Sequence, residues 1–443
     1  MKILLAVHHF PPRYSAGAEL QAYRTAAALT ERGHAVQIVC VESITDKKAE
    51  RLTWWDDTYC GLPVRRLSFD LEATPDPFRF EYDNLWIGEH LRQLMVDYQP
   101  DLFHLYGGYL ITPRPLLVAK ELGIPTFVSL LEFWFLCRRL TMMRTNGDIS
   151  TLPLNPADCA RCIAEERRRF RLTGQIAPRL ALQYWNKESA RTAQMAHRIS
   201  FLLESLNKAD TVISQSRFVG DMHIAAGLER SRLIFCRQGQ LFPPLQDTNP
   251  VKSPSAKLRI GYIGQLARHK GVHLLVDAVR QLASPDWELM IYGNLTAQPE
   301  YVAHLRRTAG GDPRIQFAGT FDRARLTAVM QGLDVVVVPS LWYENSPNVI
   351  FEAFAHRTPV IATELGGMAE LVEHGRNGLL FPSGDVNALA MQLQQILENP
   401  DLAKQLARGI PAVRTLDEEV DELEAIYASK VGTATTSYLD RAR

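Results

Sequence analysis

The sequence predicts an α/β protein of two doubly wound, Rossmann-like domains, each a parallel sheet with helices on its faces. Three observations predict it. A chain of 443 residues is too long for one ordinary hydrophobic core. Between Lys257 and Asn399, short apolar runs alternate six times with longer helical patterns, the mark of consecutive βα units. The amino-terminal half opens the same way, with an apolar run, a proline-rich loop and a helix stopped by glycine.

Taken in order, Lys2–Val7 reads as a buried strand, and Glu19–Arg32 as a helix with Leu20, Tyr23, Ala27 and Ala28 on its apolar face and Gly33 as its stop. Further strands are expected at Val36–Val41, Val64–Phe69, Leu102–Tyr106, Thr126–Leu131, Val212–Ser214 and Ile234–Cys236, and residues 137–200 read as an insertion. Pro243, Pro244, Pro250, Ser253, Pro254 and Ser255 mark a polar, proline-rich connector. Beyond it, strands are expected at Leu258–Ile263, Glu288–Tyr292, Ile315–Phe317, Asp334–Val338, Pro359–Thr363 and Leu379–Phe381. Helices follow near Val272–Leu282, Tyr301–Thr308, Arg323–Gln331, Pro347–His356, Met368–Glu373 and Val386–Glu398. The four valines of Val335–Val338 are what a strand buried on both faces of a parallel sheet requires. The expected domains are therefore 1–245, carrying the insertion 137–200, and 258–412, joined by a linker over 246–257. A helix over 413–430, acidic and amphipathic from Leu416 onward, is expected to cross back to the first domain, with 431–443 as a loose tail. Ligands of open α/β sheets bind at the carboxyl ends of the strands, so the two sheets are expected to share a central cleft.

Composition narrows the function. Apolar residues at 46% and charged residues at 22% leave no signature of disorder. Forty-nine basic residues balance 49 acidic ones, which argues against a nucleic-acid partner. No run approaches the ~18–20 apolar residues of a membrane span. Ile3–Val7 is too short for the core of a secretory leader, and six cysteines in such a length suit a reducing compartment. The expected location is cytoplasmic, with peripheral contact at the inner face of a membrane.

Chemistry concentrates on three loops that follow strands of the second sheet. The first, Gly264–Gly271, offers Arg268, Lys270 and two glycines beside a helix start, which suits a diphosphate. The second carries Glu344 just before Ser346-Pro347, a cap and first-turn proline. Glu352 lies eight positions on; at 100° per residue that leaves ~80° between the two side chains, so they can touch two parts of a long ligand but not one atom. A helix-dipole partner and a surface charge remain the plain alternative for this pair. The third loop carries Gly366-Gly367. In the first half, Gly17 lies in the loop Pro11–Glu19, which is no G-x-G-x-x-G fingerprint and so weighs against a dehydrogenase. His8 and His9 read as strand-end polar groups. Cys159-x2-Cys162 has zinc-knuckle spacing and Cys137 offers a third ligand, but no fourth cysteine lies nearby and Asp148, Asp158 or His197 would have to complete the set, so free thiols are the expectation and a structural metal the alternative. The insertion carries a net charge of +7 and mixes its arginines with Leu180, Leu182, Tyr184 and Trp185. That composition fits an anionic acceptor or membrane surface, or else ion pairs with the acidic carboxyl-terminal helix.

Lys270 in its G-x-L-x-x-x-K-G loop, the Glu344-x7-Glu352 pair, Gly366-Gly367 before Glu370, and Asn377-Gly378-Leu379-Leu380 together resemble glycosyltransferase family 4. These are retaining, nucleotide-sugar-dependent enzymes of the GT-B fold. The resemblance is dense over 257–395 and looser over 1–40 and 101–140. It implies that Lys270, with Arg268, neutralises the donor diphosphate, that Glu344 holds hydroxyls of the transferred sugar, and that Glu352 holds the ribose. It also implies that amides near Asn348-Val349 and Gly366-Gly367 cradle phosphate or sugar, with Gly17 facing the same groups. No cofactor or divalent metal is implied; the nucleotide-diphosphate sugar is itself a substrate, and the acceptor is a glycan or lipid-linked molecule, as in bacterial cell-surface polysaccharide synthesis. The family's usual arginine is Gln265 here, its usual glycine pair is Ala16-Gly17, and its usual histidine is Leu131, leaving Glu132 and His8 as acceptor-side candidates. An epimerase or phosphorylase of the same architecture, or a non-catalytic nucleotide-sugar-binding protein, stays open. Glu344→Ala and Lys270→Ala are each expected to cost at least tenfold in activity with stability nearly intact.

Overall fold

The computed structural model describes residues 1–187, 189–241 and 255–441, which form two α/β units. The first comprises Met1–Gln238 and the helix Leu416–Arg441; the second is Gly239–Thr415. The remainder of the expected linker, with Pro243, Pro244, Pro250 and Pro254, lies outside the described residues. The boundary falls at Gly239, not at 245, because Gln240 already pairs with the second unit: its amide N–H donates to the Arg414 carbonyl at 2.9 Å and its side chain to Asn348 Oδ1 at 3.1 Å.

The first unit is an eight-stranded sheet: β1 (Lys2–Val7), β2 (Ala35–Ser43), β3 (Thr53–Tyr59), β4 (Leu62–Ser68), β5 (Leu102–Tyr106), β6 (Thr126–Leu130), β7 (Thr211–Ser214) and β8 (Leu233–Phe235). The order is β3-β4-β2-β1-β5-β6-β7-β8, parallel throughout except for the antiparallel β3–β4 hairpin, which the apolar pattern did not predict. Buried Ile3, Leu5 and Val7 of β1 pack on Ala22, Ala26 and Leu29 of the helix Gly17–Glu31, so that helix buries a face about one residue over from the expected one. Each fully buried aliphatic side chain of this kind contributes roughly 1.5–3 kcal/mol.

The helix Leu416–Arg441 completes the same core. Leu416, Val420, Leu423, Ile426 and Tyr427 repeat at helical spacing and are all buried against the first sheet. The Tyr427 hydroxyl lies 2.5 Å from His104 Nδ1, and burial drives that imidazole down to about 3. Arg32 and His34 hold the acidic face through Asp417, Asp421 and Glu424. The expected loose tail after Lys430 is instead helical through Arg441, since Val431 still packs against the core and carries the helix onward.

The second unit contains β9 (Leu258–Ile263), β10 (Trp287–Tyr292), β11 (Ile315–Gly319), β12 (Val335–Val338), β13 (Val360–Thr363) and β14 (Gly378–Phe381), all parallel, in the order β11-β10-β9-β12-β13-β14. The order reverses between β9 and β12, so the loops leaving those two strands stand side by side at the switch point, where doubly wound sheets bind ligands.

Candidate active site

The loops after β9, β12 and β13 are locked together through backbone. Gly271 closes the first loop at φ +70°, and a side chain there would bring Cβ within 1.8 Å of the Pro339 carbonyl. Leu341 N–H donates to the His269 carbonyl at 2.8 Å. In the third loop, a Cβ on Gly367 would lie 1.7 Å from the Asn345 carbonyl, and its N–H donates to the Glu344 carbonyl at 2.9 Å. Two glycines thus permit contacts that no other residue would, and they set Glu344 beside Lys270.

Glu344 is buried and takes three donors on one oxygen. Lys270 Nζ lies 2.7 Å from Oε1, with Ser340 Oγ and Trp342 Nε1 each at 2.8 Å. The Lys270 ammonium also sits 4.7 Å from the centre of the Trp342 ring. Burial pushes the carboxyl up, but the Lys270 charge and the three hydrogen bonds outweigh it and hold the group below its ordinary value. Glu344 is therefore an anion at neutral pH. Among the described residues no donor reaches its second oxygen, Oε2. That connectivity alters the expected result of truncation: removing either partner of a buried, shared pair costs stability as well as activity.

Glu352 belongs to a different pair. Its Oε1 is 2.7 Å from Arg323 Nη2, with the carboxylate buried and the guanidinium half exposed. The helix Asn348–Ala355 begins one residue later than expected, with Pro347, not Ser346, at the cap position, because Pro347 holds an extended ψ of 117°. Its first turn still leaves amide groups without intrahelical acceptors, Val349 among them. The Gly367 amide is committed to the Glu344 carbonyl and so is not available to a phosphate, which corrects the expected cradle at Gly367. Arg268 is exposed, and its charge is felt by His273 and Tyr301. Gly17 is the exposed first residue of its helix.

In the first unit the loops after β1, β5 and β6 carry the polar groups. His8 Nε2 is 3.3 Å from Glu19 Oε1, and the His8 ring is 5.8 Å from that of Tyr109. Burial raises Glu132 to about 7, with His8 and the Gly108 amide opposing the rise. Its Oε1 is buried without a hydrogen-bond partner among the described residues. Leu131, where the family resemblance places histidine, packs on the core.

Cys137, Cys159 and Cys162 are free thiols lining one small cavity, and burial pushes Cys159 up to about 11. Among the described residues no group of three His, Cys, Asp or Glu side chains is arranged to hold a metal. The sequence reading missed Ser340, Trp342, Arg323, Gln240 and Glu19. Ser340 and Trp342 had a usable signal, since a buried carboxylate needs donors and its own loop supplied them. Arg323 had none.

Residues 16–237 match the family described as glycosyl transferase 4-like domain, and residues 257–399 match glycosyl transferases group 1. The chain is 33% identical to a D-inositol 3-phosphate glycosyltransferase of Corynebacterium urealyticum over 35% of this chain and 38% of that one. It is 27% identical to the alpha-D-kanosaminyltransferase of Streptomyces kanamyceticus over 38% of this chain and 44% of that one, so these two matches take in less than half of each relative's length. A glycogen synthase of Mycobacterium tuberculosis is 24% identical over 92% of this chain and 89% of its own. In fold, the chain is similar to sucrose-phosphate synthase from Thermosynechococcus elongatus (TM-score 0.63, 20% identity, 97% of this chain and 99% of that one). It is likewise similar to Anabaena HepE in complex with UDP (TM-score 0.61, 18% identity, 100% and 99%).

Proposed function

The chain belongs to the glycosyl transferase 4-like, group 1 family, and from that premise we propose that it moves a sugar from a nucleoside diphosphate to an acceptor with retention of anomeric configuration. The observation that carries this reading is the Lys270–Glu344 pair, 2.7 Å apart at the switch point of the second sheet. An ammonium there neutralises charge that develops on a departing diphosphate, and the low-dielectric surroundings strengthen its effect. Glu344 Oε2, which no donor reaches among the described residues, accepts hydrogen bonds from hydroxyls of the transferred sugar. The amides at the start of the helix Asn348–Ala355 lie on the same side as this pair and suit the phosphates. Arg268, exposed on the same loop as Lys270, supplies a second cation for the diphosphate, and no divalent metal is needed. Glu132 and His8 act on the acceptor side, a glycan or a lipid-linked sugar of cell-surface polysaccharide synthesis, reached by a cytoplasmic protein in peripheral contact with the membrane.

The test is turnover of uridine, guanosine and adenosine diphosphate sugars, with and without candidate acceptors and with EDTA present. The UDP named for Anabaena HepE sets the order of the screen. Acceptor-dependent, EDTA-insensitive release of the nucleoside diphosphate supports the proposal. Release or epimerised donor without acceptor assigns the site to another reaction, and binding without turnover makes it a sensor.

Glu352 is assigned to the ribose. Arg323→Ala leaves that buried carboxylate without its counter-charge. The expected result is a rise of about fivefold in donor KM with kcat little changed, because the ribose is remote from the reacting bond. Steady-state kinetics over a range of donor concentration reads this directly, and a fall in kcat at constant KM would remove the ribose role.

A further inference from the structure

We propose that the helix pair Arg168–Ile176 and Pro178–Lys187 is an interfacial anchor that lays the first unit on an anionic lipid surface. The proposal deepens the peripheral contact named above and is independent of the transfer chemistry. Of the ten large apolar side chains that the described residues leave exposed, four fall in this pair: Leu172 at 42%, Ile176 at 81%, Leu180 at 67% and Tyr184 at 52%. They recur every four positions, two on each helix, so each helix carries them as a stripe on one side. The opposite side is fixed to the protein: Trp185 is buried, its ring 5.7 Å from that of Phe170, and the Arg191 guanidinium lies over both rings. The side chain of Leu182 lies outside the described residues.

Cations surround the stripe. Arg167 to Arg191 carries six arginines and one lysine against one glutamate, in a chain whose net charge is zero. Arg167, Arg168, Arg171 and Arg179 are exposed and make no ion pair among the described residues. The adjacent carboxylates Glu165 and Glu166 are taken by Arg161 and Arg139. Among the described residues these arginines make no ion pair with the acidic carboxyl-terminal helix, where Arg32 and His34 pair with Asp417, Asp421 and Glu424. Unneutralised guanidinium groups around an apolar stripe match the boundary between anionic headgroups and acyl chains. The cavity lined by Arg167 and Phe170 shares Arg138 and Ile163 with one lined by Tyr109 and Trp134, so the anchor adjoins the acceptor-side loops.

Co-sedimentation of the full chain with vesicles tests this, using pure phosphatidylcholine and an equal mixture of phosphatidylcholine and phosphatidylglycerol, at low and high salt. Binding to the anionic vesicles should exceed binding to the neutral ones by at least about tenfold and weaken with salt. Ile176→Glu with Leu180→Glu, and separately Arg168→Gln with Arg171→Gln and Arg179→Gln, should each lower anionic binding by about tenfold or more. The thermal midpoint and donor affinity by titration calorimetry should stay at the parent values, so a failed transfer reading leaves this test standing. The proposal is overturned if the parent binds neither vesicle or both equally, or if both variants sediment like the parent. It is also overturned if the parent is a dimer that Ile176→Glu with Leu180→Glu makes monomeric without any vesicle binding, which would assign the stripe to self-association.

Discussion

Lys270→Ala should lower kcat/KM for the nucleotide sugar by about a hundredfold, the order seen when one preorganised charge-stabilising group is removed from an active site. Stability should fall with it. Glu344 would keep Ser340 and Trp342 as donors but lose the ammonium that offsets its burial. Breaking such a pair costs on the order of 3 kcal/mol. The sign follows from the lowered Glu344 carboxyl in the folded protein. A depressed carboxyl contributes stability that is present above its ordinary value and lost as pH falls through the folded one. In Lys270→Ala that contribution disappears, so the gap in thermal midpoint between variant and parent should be wide at pH 7 and narrow toward acid. Lys270→Arg should restore most of the stability but only part of the activity, since a planar fork does not replace a point charge against both the carboxylate and the Trp342 face. A Lys270→Ala enzyme with parental kcat/KM would show that the ammonium does not face the diphosphate.

Glu132→Gln should remove the alkaline-shifted ionisation of the acceptor side. With burial holding this carboxyl near 7, the parent's kcat/KM should rise with pH through that value as the group becomes a base; the variant should lose that limb and about a hundredfold in rate above it. Stability runs the other way. A raised carboxyl favours the folded state most below its unfolded value near 4.5, and the advantage fades as pH climbs to the folded value. The penalty at pH 8 is of the order of 3 kcal/mol. Glu132→Gln should therefore melt higher than the parent at pH 8 and with it at pH 4. If the pH limb survives the substitution, Glu132 is a buried structural acid and the acceptor side depends on another group.

The second unit was legible because fully buried parallel strands are written as unbroken apolar runs, with Val335–Val338 the plainest, and because glycine and proline mark the loops between them. The three loops on one sheet edge followed from that pattern alone. The β3 strand did not: Thr53–Tyr59 is almost wholly exposed, so it has no buried face to impose alternation, and Trp54 and Asp56 are instead held by Arg65 across the hairpin. The Lys270–Glu344 contact could be expected from topology, whereas Arg323–Glu352 could not, since it joins residues 29 apart with no motif between them. The Ser346 cap failed for a local reason, the extended ψ that Pro347 adopts before the helix.

The return of Leu416–Tyr427 to the first sheet has a consequence for biosynthesis. A ribosome releases the eight strands of that sheet long before it makes the segment that covers them, and His104 waits for Tyr427 until the whole second unit has been translated. The nascent first unit thus carries an open apolar seam along its helix-facing side during most of elongation, while the second can close on its own residues as they emerge. Maturation of the earlier-made half is paced by completion of the later one.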